Sequence, residues 1–234
     1  MPRTTTPDRL TEIIEAATRV FGRLGYRRTQ VANIAAEAGV SQGTIYTYVR
    51  SKEALFHLVF VRAFGELETD VVLPVATPAP GETVAVIARG MKTAASVPEL
   101  RGALGREEPG DVRAELTTIV EQYYDFVEAL WPVLAVVERS AADLPELETL
   151  YFGKGRPSLA GQLRRYIEQR AASGHFRSVT DASVAARIVI ETTVWFAWHR
   201  HEDRDSIAYD DVRSRATVVE FICDALIARG VRGL

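Results

Sequence analysis

Between Thr29 and Val49 the chain has room for two short helices and only Gly39-Val40 to turn between them. Val31, Ile34, Ala35 and Ala38 recur at helical spacing, and Gly39 ends that run by its access to the left-handed conformation. Ser41 then caps the next helix. Two helices joined by so tight a turn must cross steeply; the small Ala35 lets them approach, and Val40 and Ile45 plug the gap. Upstream, Leu10, Ile13, Ile14, Ala17, Phe21 and Leu24 form one apolar stripe, which predicts a first helix from about Pro7 to Leu24. Thr6 can cap it, Pro7 suits its first position, and Gly25 stops it. The spacing therefore predicts a three-helix head with a helix-turn-helix.

Ser51-Lys52-Glu53 reads as a further helix start, running to about Val72 before a loop marked by Pro74, Pro78, Pro80 and Gly81. Helical patterns follow at about 82–96, 111–139, 158–173, 181–202 and 211–229, with breaks such as 105–110 and 153–157. No period-2 alternation is sustained, so the expected fold is all-α. It divides into a helix-turn-helix domain over 7–67 and a larger helical ligand-binding and dimerisation domain over 68–234.

Residues 1–52 carry eight bases against four acids, a net of +4, which leaves −7 for the remainder with its 20 bases and 27 acids. A basic head on an acidic body suggests that the head alone meets a polyanion. The segment from Ser41 to Lys52 has the side chains for it. Gln42 can pair bidentately with adenine, Gly43 allows close approach to the groove wall, and Tyr46 can reach a base edge or a thymine methyl. Thr44, Tyr48 and Lys52 are donors suited to phosphate oxygens, as is Thr29 at the start of the second helix.

The pattern Thr29-x4-Ile34-Ala35-x2-Ala38-Gly39-Val40-Ser41-x-Gly43-Thr44-Ile45-Tyr46-x-Tyr48-x2-Ser51-Lys52-Glu53-x-Leu55 closely resembles the DNA-binding region of the tetracycline-repressor (TetR) family. With helix 1 and the Gly25-Tyr26 break, the resemblance covers about residues 7–60; Val49 stands where the family often has Phe. The resemblance implies a homodimeric, ligand-responsive repressor of a palindromic operator, in which a ligand in the C-terminal domain tilts the connecting helix and moves the recognition helices apart. It places Thr29, Thr44, Tyr48 and Lys52 on phosphates and Gln42, Gly43 and Tyr46 nearest the bases. Arg3 in the N-terminal arm goes either to a minor groove or to solvent.

Beyond residue 60 the resemblance is architectural. It implies that the last two long helices pair with their copies in a partner. Val184, Ile188, Thr192 and Trp195 make one stripe, and Val218, Ile222, Ala225 and Ile227 lie on the last helix; either set could equally face the chain's own core. An effector cavity needs apolar walls with a few polar handles. Met91, Tyr123, Tyr124, Phe126, Trp131, Trp195, Trp198 and His199 are candidates, although aromatics at helical spacing serve as packing just as well. Such walls suit a hydrophobic or amphipathic effector.

Other chemistry is not supported. In His199-Arg200-His201-Glu202-Asp203 the histidines are two apart and point to different faces of a helix, so a metal is not expected. Gly153-Lys154-Gly155-Arg156-Pro157-Ser158 lacks the phosphate-loop spacing and a preceding strand, and reads as a plain loop. No catalytic set is identifiable, and neither a cofactor nor an enzymatic activity is expected. The start shows no signal-peptide pattern and no apolar run reaches a membrane span, which with the lone Cys223 suggests a cytoplasmic protein.

Overall fold

The structure, a computed structural model, describes residues 7–67, 71–94, 97–206 and 208–228. Arg3 and the Thr6 cap lie outside the described residues. Those residues hold eleven α-helices and no strand beyond two isolated bridges, so the all-α expectation holds. The chain folds as two compact units, Met1–Ala94 with Pro132–Gly153, and Ala95–Trp131 with Lys154–Leu234. The expected boundary at 67/68 does not coincide with this division.

In the first unit α1 (Pro7–Arg28) packs on α2 (Val31–Glu37) and α4 (Lys52–Ala63), with α3 (Gln42–Tyr48) crossing α2. The predicted stripe of α1 is its buried face from Leu10 to Phe21. Phe21 and Tyr26 close on Phe56 of α4 at ring-centroid distances of 5.1 and 4.9 Å. Gly25 does break α1, at φ +74°, but one more helical turn follows it to Arg28. A side chain there would also meet the Arg139 carbonyl oxygen, 2.7 Å from an ideal Cβ. That carbonyl belongs to α7 (Val112–Ala141), whose end grips the break: the Tyr26 amide donates to Ser140 Oγ at 3.1 Å and the Arg27 amide to Asp143 Oδ2 at 2.9 Å.

Helix α4 ends at Ala63, not near Val72 as the sequence suggested. The chain turns at Gly65 (φ +72°), and the apolar run Val71-Val72-Leu73 leaves the helix. Residues 73–77 then fold back as a strap on the end of α3. The Val75 amide donates to the Tyr48 carbonyl at 2.8 Å, the Arg50 amide to the Val75 carbonyl at 2.9 Å, and Thr77 Oγ1 to Ser51 Oγ at 2.9 Å. Helix α5 (Glu82–Ala94) follows.

The second unit contains α6 (Pro98–Leu104), which the sequence reading missed, the first part of α7, and α9 (Arg156–Ala172), α10 (Ala182–Ala197) and α11 (Asp211–Leu226). A four-residue α8 (Pro145–Glu148) precedes in the first unit. Residues Thr149–Gly155 form a π-helical turn running into α9, so the expected loop at 153–158 is helical. Likewise α10 stops at Ala197, and a 3₁₀ turn covers His199–His201.

The centre of this unit is charged. Arg170 of α9, fully buried, donates Nε to Glu115 Oε1 at 2.9 Å and Nη2 to Glu115 Oε2 at 3.1 Å, and also to the Ala103 carbonyl at 3.0 Å. Tyr166 Oη adds a hydrogen bond to Glu115 at 3.0 Å. Burial opposes ionisation of Glu115, but the hydrogen bonds from Arg170, Arg106 and Tyr166 outweigh it and hold the carboxyl below its ordinary range. The pair thereby ties α6, α7 and α9 together.

Removing one partner of such a pair strands the other charge in a low-dielectric interior. Glu115→Ala should therefore lower stability by about 3–5 kcal/mol in urea unfolding, whereas Glu12→Ala, at the exposed Arg9 pair, should cost under about 1 kcal/mol. Because the folded pKa of Glu115 is depressed, its contribution is present above the ordinary value of 4.5 and is lost as pH falls through the folded value.

Candidate nucleic-acid interface

Helix α3 is seven residues long, and its placement is set by its ends. Ser41 Oγ accepts from the Thr44 amide at 3.1 Å and shares a 2.8 Å hydrogen bond with Thr44 Oγ1, which caps the N-terminus. Ile45, Tyr48 and Val49 are buried beneath it. Ser41, Gln42, Gly43 and Tyr46 all stand on the solvent side, Tyr46 with 46% of its surface exposed, and Thr44 is half-buried. The side chains expected nearest the bases therefore share one open face.

Thr29, Tyr48 and Lys52, expected on phosphates, make contacts within the chain. Thr29 is only 1% exposed, and its hydroxyl donates to the Gly25 carbonyl at 2.7 Å. Its residue type suits an anion, but here it closes the end of α1, and α2 begins after Gln30 instead. Tyr48 is buried and accepts the strap through its carbonyl. Lys52 Nζ donates to the carbonyls of Tyr26 at 3.0 Å and Thr29 at 3.1 Å, and lies 4.3 Å from the centre of the Tyr26 ring. Beside it, the Tyr26 hydroxyl donates to Glu53 at 2.7 Å. Burial and then this bond raise the Tyr26 pKa, and the bond from Tyr26 lowers that of Glu53. Lys52 and Tyr26 thus bridge the break of α1 to the start of α4. Periodicity carries no sign of this bridge, because it joins segments over 20 residues apart.

The expected effector residues are divided between the two compact units. Met91 sits on α5 in the first unit, and the others belong to the second. Tyr124 is buried and its hydroxyl donates to the Phe196 carbonyl at 3.2 Å. Tyr123 stacks on Phe126 at 6.2 Å, Trp131 on His201 at 6.1 Å, and Trp198 on His199 at 4.4 Å. Trp198 is buried, and its Nε1 has no acceptor among the described residues. An open groove of about 380 Å³ in the same unit is lined instead by Glu99, Arg106, Gly110, Asp111, Ala114, Glu115 and Thr118, none of them an effector candidate.

The two dimer stripes also part company. Val184 and Ile188 are 55% and 60% exposed, and Trp195 is also exposed, so the α10 stripe faces outward. On α11 and its C-cap the stripe of Val218, Ile222 and Ile227 is buried in the chain's own core, and the outward apolar residues are Val212 and Phe221, 77% and 72% exposed. Among the described residues no group of His, Cys, Asp and Glu is arranged to hold a metal, and no helix is long and apolar enough to cross a membrane.

Residues 13–59 match the sequence profile of the bacterial regulatory proteins, tetR family. Two Bacillus subtilis proteins align with the head: the HTH-type transcriptional regulator YhgD, 41% identical over 61 residues, and the fatty acid metabolism regulator protein, 42% identical over 55 residues. These alignments cover 26% and 24% of this chain but only 32% and 28% of those proteins. The HTH-type transcriptional repressor KstR2 of Rhodococcus jostii is 23% identical over 205 residues, 87% of this chain and 85% of that one. The structure of the TetR-family regulator PfmR from Thermus thermophilus superposes with a TM-score of 0.54 at 22% identity, covering 98% of each chain, which is a likeness of fold. Over residues 13–59 the chain thus carries the helix-turn-helix region of the bacterial regulatory proteins, tetR family.

Proposed function

We propose that the protein is a homodimeric repressor that binds a palindromic operator through α3 and is released from it by a hydrophobic or amphipathic effector. The observation that carries this reading is the open face of α3. Gln42, Gly43 and Tyr46 are exposed together on a helix capped and seated by its neighbours, which is the disposition a major-groove reader requires. Gln42 pairs with adenine, Tyr46 contacts a base edge or a thymine methyl, and Thr44 contacts the flanking phosphate. Likeness to KstR2 over most of the chain supports repression as the mode of regulation.

A palindromic site needs two copies of α3 at fixed spacing. The outward apolar residues Val184, Ile188 and Trp195 of α10 and Phe221 of α11 form the face that a second copy covers. For the effector, the buried Trp198 indole N–H is a polar handle on a ring stacked against His199. An acceptor on a largely apolar ligand would satisfy it. Acyl-CoA thioesters, an aliphatic chain on a polar carrier, are the probe of choice.

Selection from a random duplex pool should enrich a palindrome, and Gln42→Ala should relax the preference at one position per half-site, at a cost of about 1–3 kcal/mol. Recovery of no common sequence, or of a single unpaired half-site, would contradict the reading. Ile188→Asp should convert the sedimenting species from twice the chain mass to 25.9 kDa with helical content unchanged. A wild-type protein already sedimenting as a monomer at micromolar concentration would rule out the dimer.

A further inference from the structure

The basic residues of the head sort into two groups by what surrounds them. Arg9 pairs with Glu12 at 2.6 Å, and Arg19 and Arg23 share Glu37 at 2.8 Å each. Both arginines hold the Glu37 carboxyl below its ordinary pKa. Arg62 of α4 takes Glu15 at 3.0 Å. These acids are spent along α1, α2 and α4. Arg27, Arg28 and Arg50 are exposed, and no carboxylate pairs with their guanidinium groups among the described residues.

These three arginines flank one junction. Lys52, bonded to the Tyr26 and Thr29 carbonyls, ties the turn that carries Arg27 and Arg28 to the segment that carries Arg50. The strap fixes the Arg50 backbone through its amide, and Arg28 Nε donates to the Leu24 carbonyl at 2.9 Å, which leaves its two Nη groups to face outward. Two acids stand nearby, and both are engaged: Glu53 by the Tyr26 hydroxyl and Asp143 by the Arg27 amide. Arg27, Arg28, Arg50 and Lys52 still exceed them by two charges.

We propose that Arg27, Arg28 and Arg50 form a basic rim that grips the sugar–phosphate backbone of duplex DNA alongside the groove entered by α3. The inference rests on the DNA-binding reading above and assigns the backbone contact to side chains that the family resemblance does not name. A guanidinium offers a planar fork matched to phosphate oxygens and remains charged at any working pH. Arg19 and Arg23 are equally charged, but both are engaged by the Glu37 carboxylate, which halves their net charge. The rim therefore takes over the phosphate role that Thr29, through its buried hydroxyl, cannot fill.

Counterion release makes the test direct, since each phosphate contact contributes about 0.9 to the slope of log K against log salt. The full chain is titrated by fluorescence anisotropy against a labelled duplex of arbitrary sequence, about 30 base pairs long, between about 50 and 200 mM KCl. Arg50→Ala should lower the slope by about 0.9 per protomer and Arg27→Ala/Arg28→Ala by about twice that, while Arg50→Lys keeps the wild-type slope. Arg19→Ala removes the same charge from a paired site and should change the slope far less. The rim is overturned if either rim variant retains the wild-type slope, or if Arg19→Ala loses as much as Arg50→Ala. A wild-type protein without salt-dependent duplex binding would instead sink the regulator reading, and the rim with it.

Discussion

A helix of seven residues does not hold itself in water, where isolated helices below about 12–15 residues are marginal. α3 is therefore only as well placed as its attachments. Ser41 satisfies its first amides, Ile45, Tyr48 and Val49 anchor its underside, and the strap at Val75 ties off its end. One residue beyond the strap's partners, Lys52 brings the end of α1 into the same assembly. What presents Gln42 and Tyr46 to solvent is thus a set of contacts drawn from α1, α2, α4 and a loop over 20 residues downstream.

The local part of this was legible in the sequence. Apolar spacing places α1 and α2, and the Gly39-Val40 turn with the Ser41 cap places α3, because these signals act within one or two helical turns. The run Val71-Val72-Leu73 misled for the complementary reason. A short apolar segment continues a helix or leaves it with equal plausibility, and the outcome was decided by Gly65 and by Val49 and Arg50, to which the strap returns. The missed α6 is a seven-residue helix opened by Pro98, too short for periodicity to declare.

Residue type was a weaker guide than position. Thr29 and Lys52 are chemically apt for a phosphate, but a hydroxyl or an ammonium is equally apt for a backbone carbonyl left over at a helix end. Gly25 breaks α1 and exposes such carbonyls, and both residues are drawn to that region. The same limit applies to the stripes of α10 and α11. Periodicity finds an apolar face but does not say what covers it; Val218 and Ile222 meet their own core while Val184 and Ile188 meet solvent. Of the eight expected effector residues Tyr124 and Trp198 are buried, and the Trp198 indole N–H is left without a partner among the described residues.

α7 contributes to both compact units. Its first turn carries Glu115, locked by Arg170, and its last turn carries Arg139 and Ser140, which seat the Gly25 break from which Arg27, Arg28 and the Lys52 bridge follow. Pro132 lies within it, and the division into two compact units falls between Trp131 and Pro132. Proline supplies no amide to the helical ladder, so α7 lacks one backbone hydrogen bond at that turn. Within each unit, α7 is held by its own anchor: the Glu115–Arg170 pair at its first turn and the seated Gly25 break at its last.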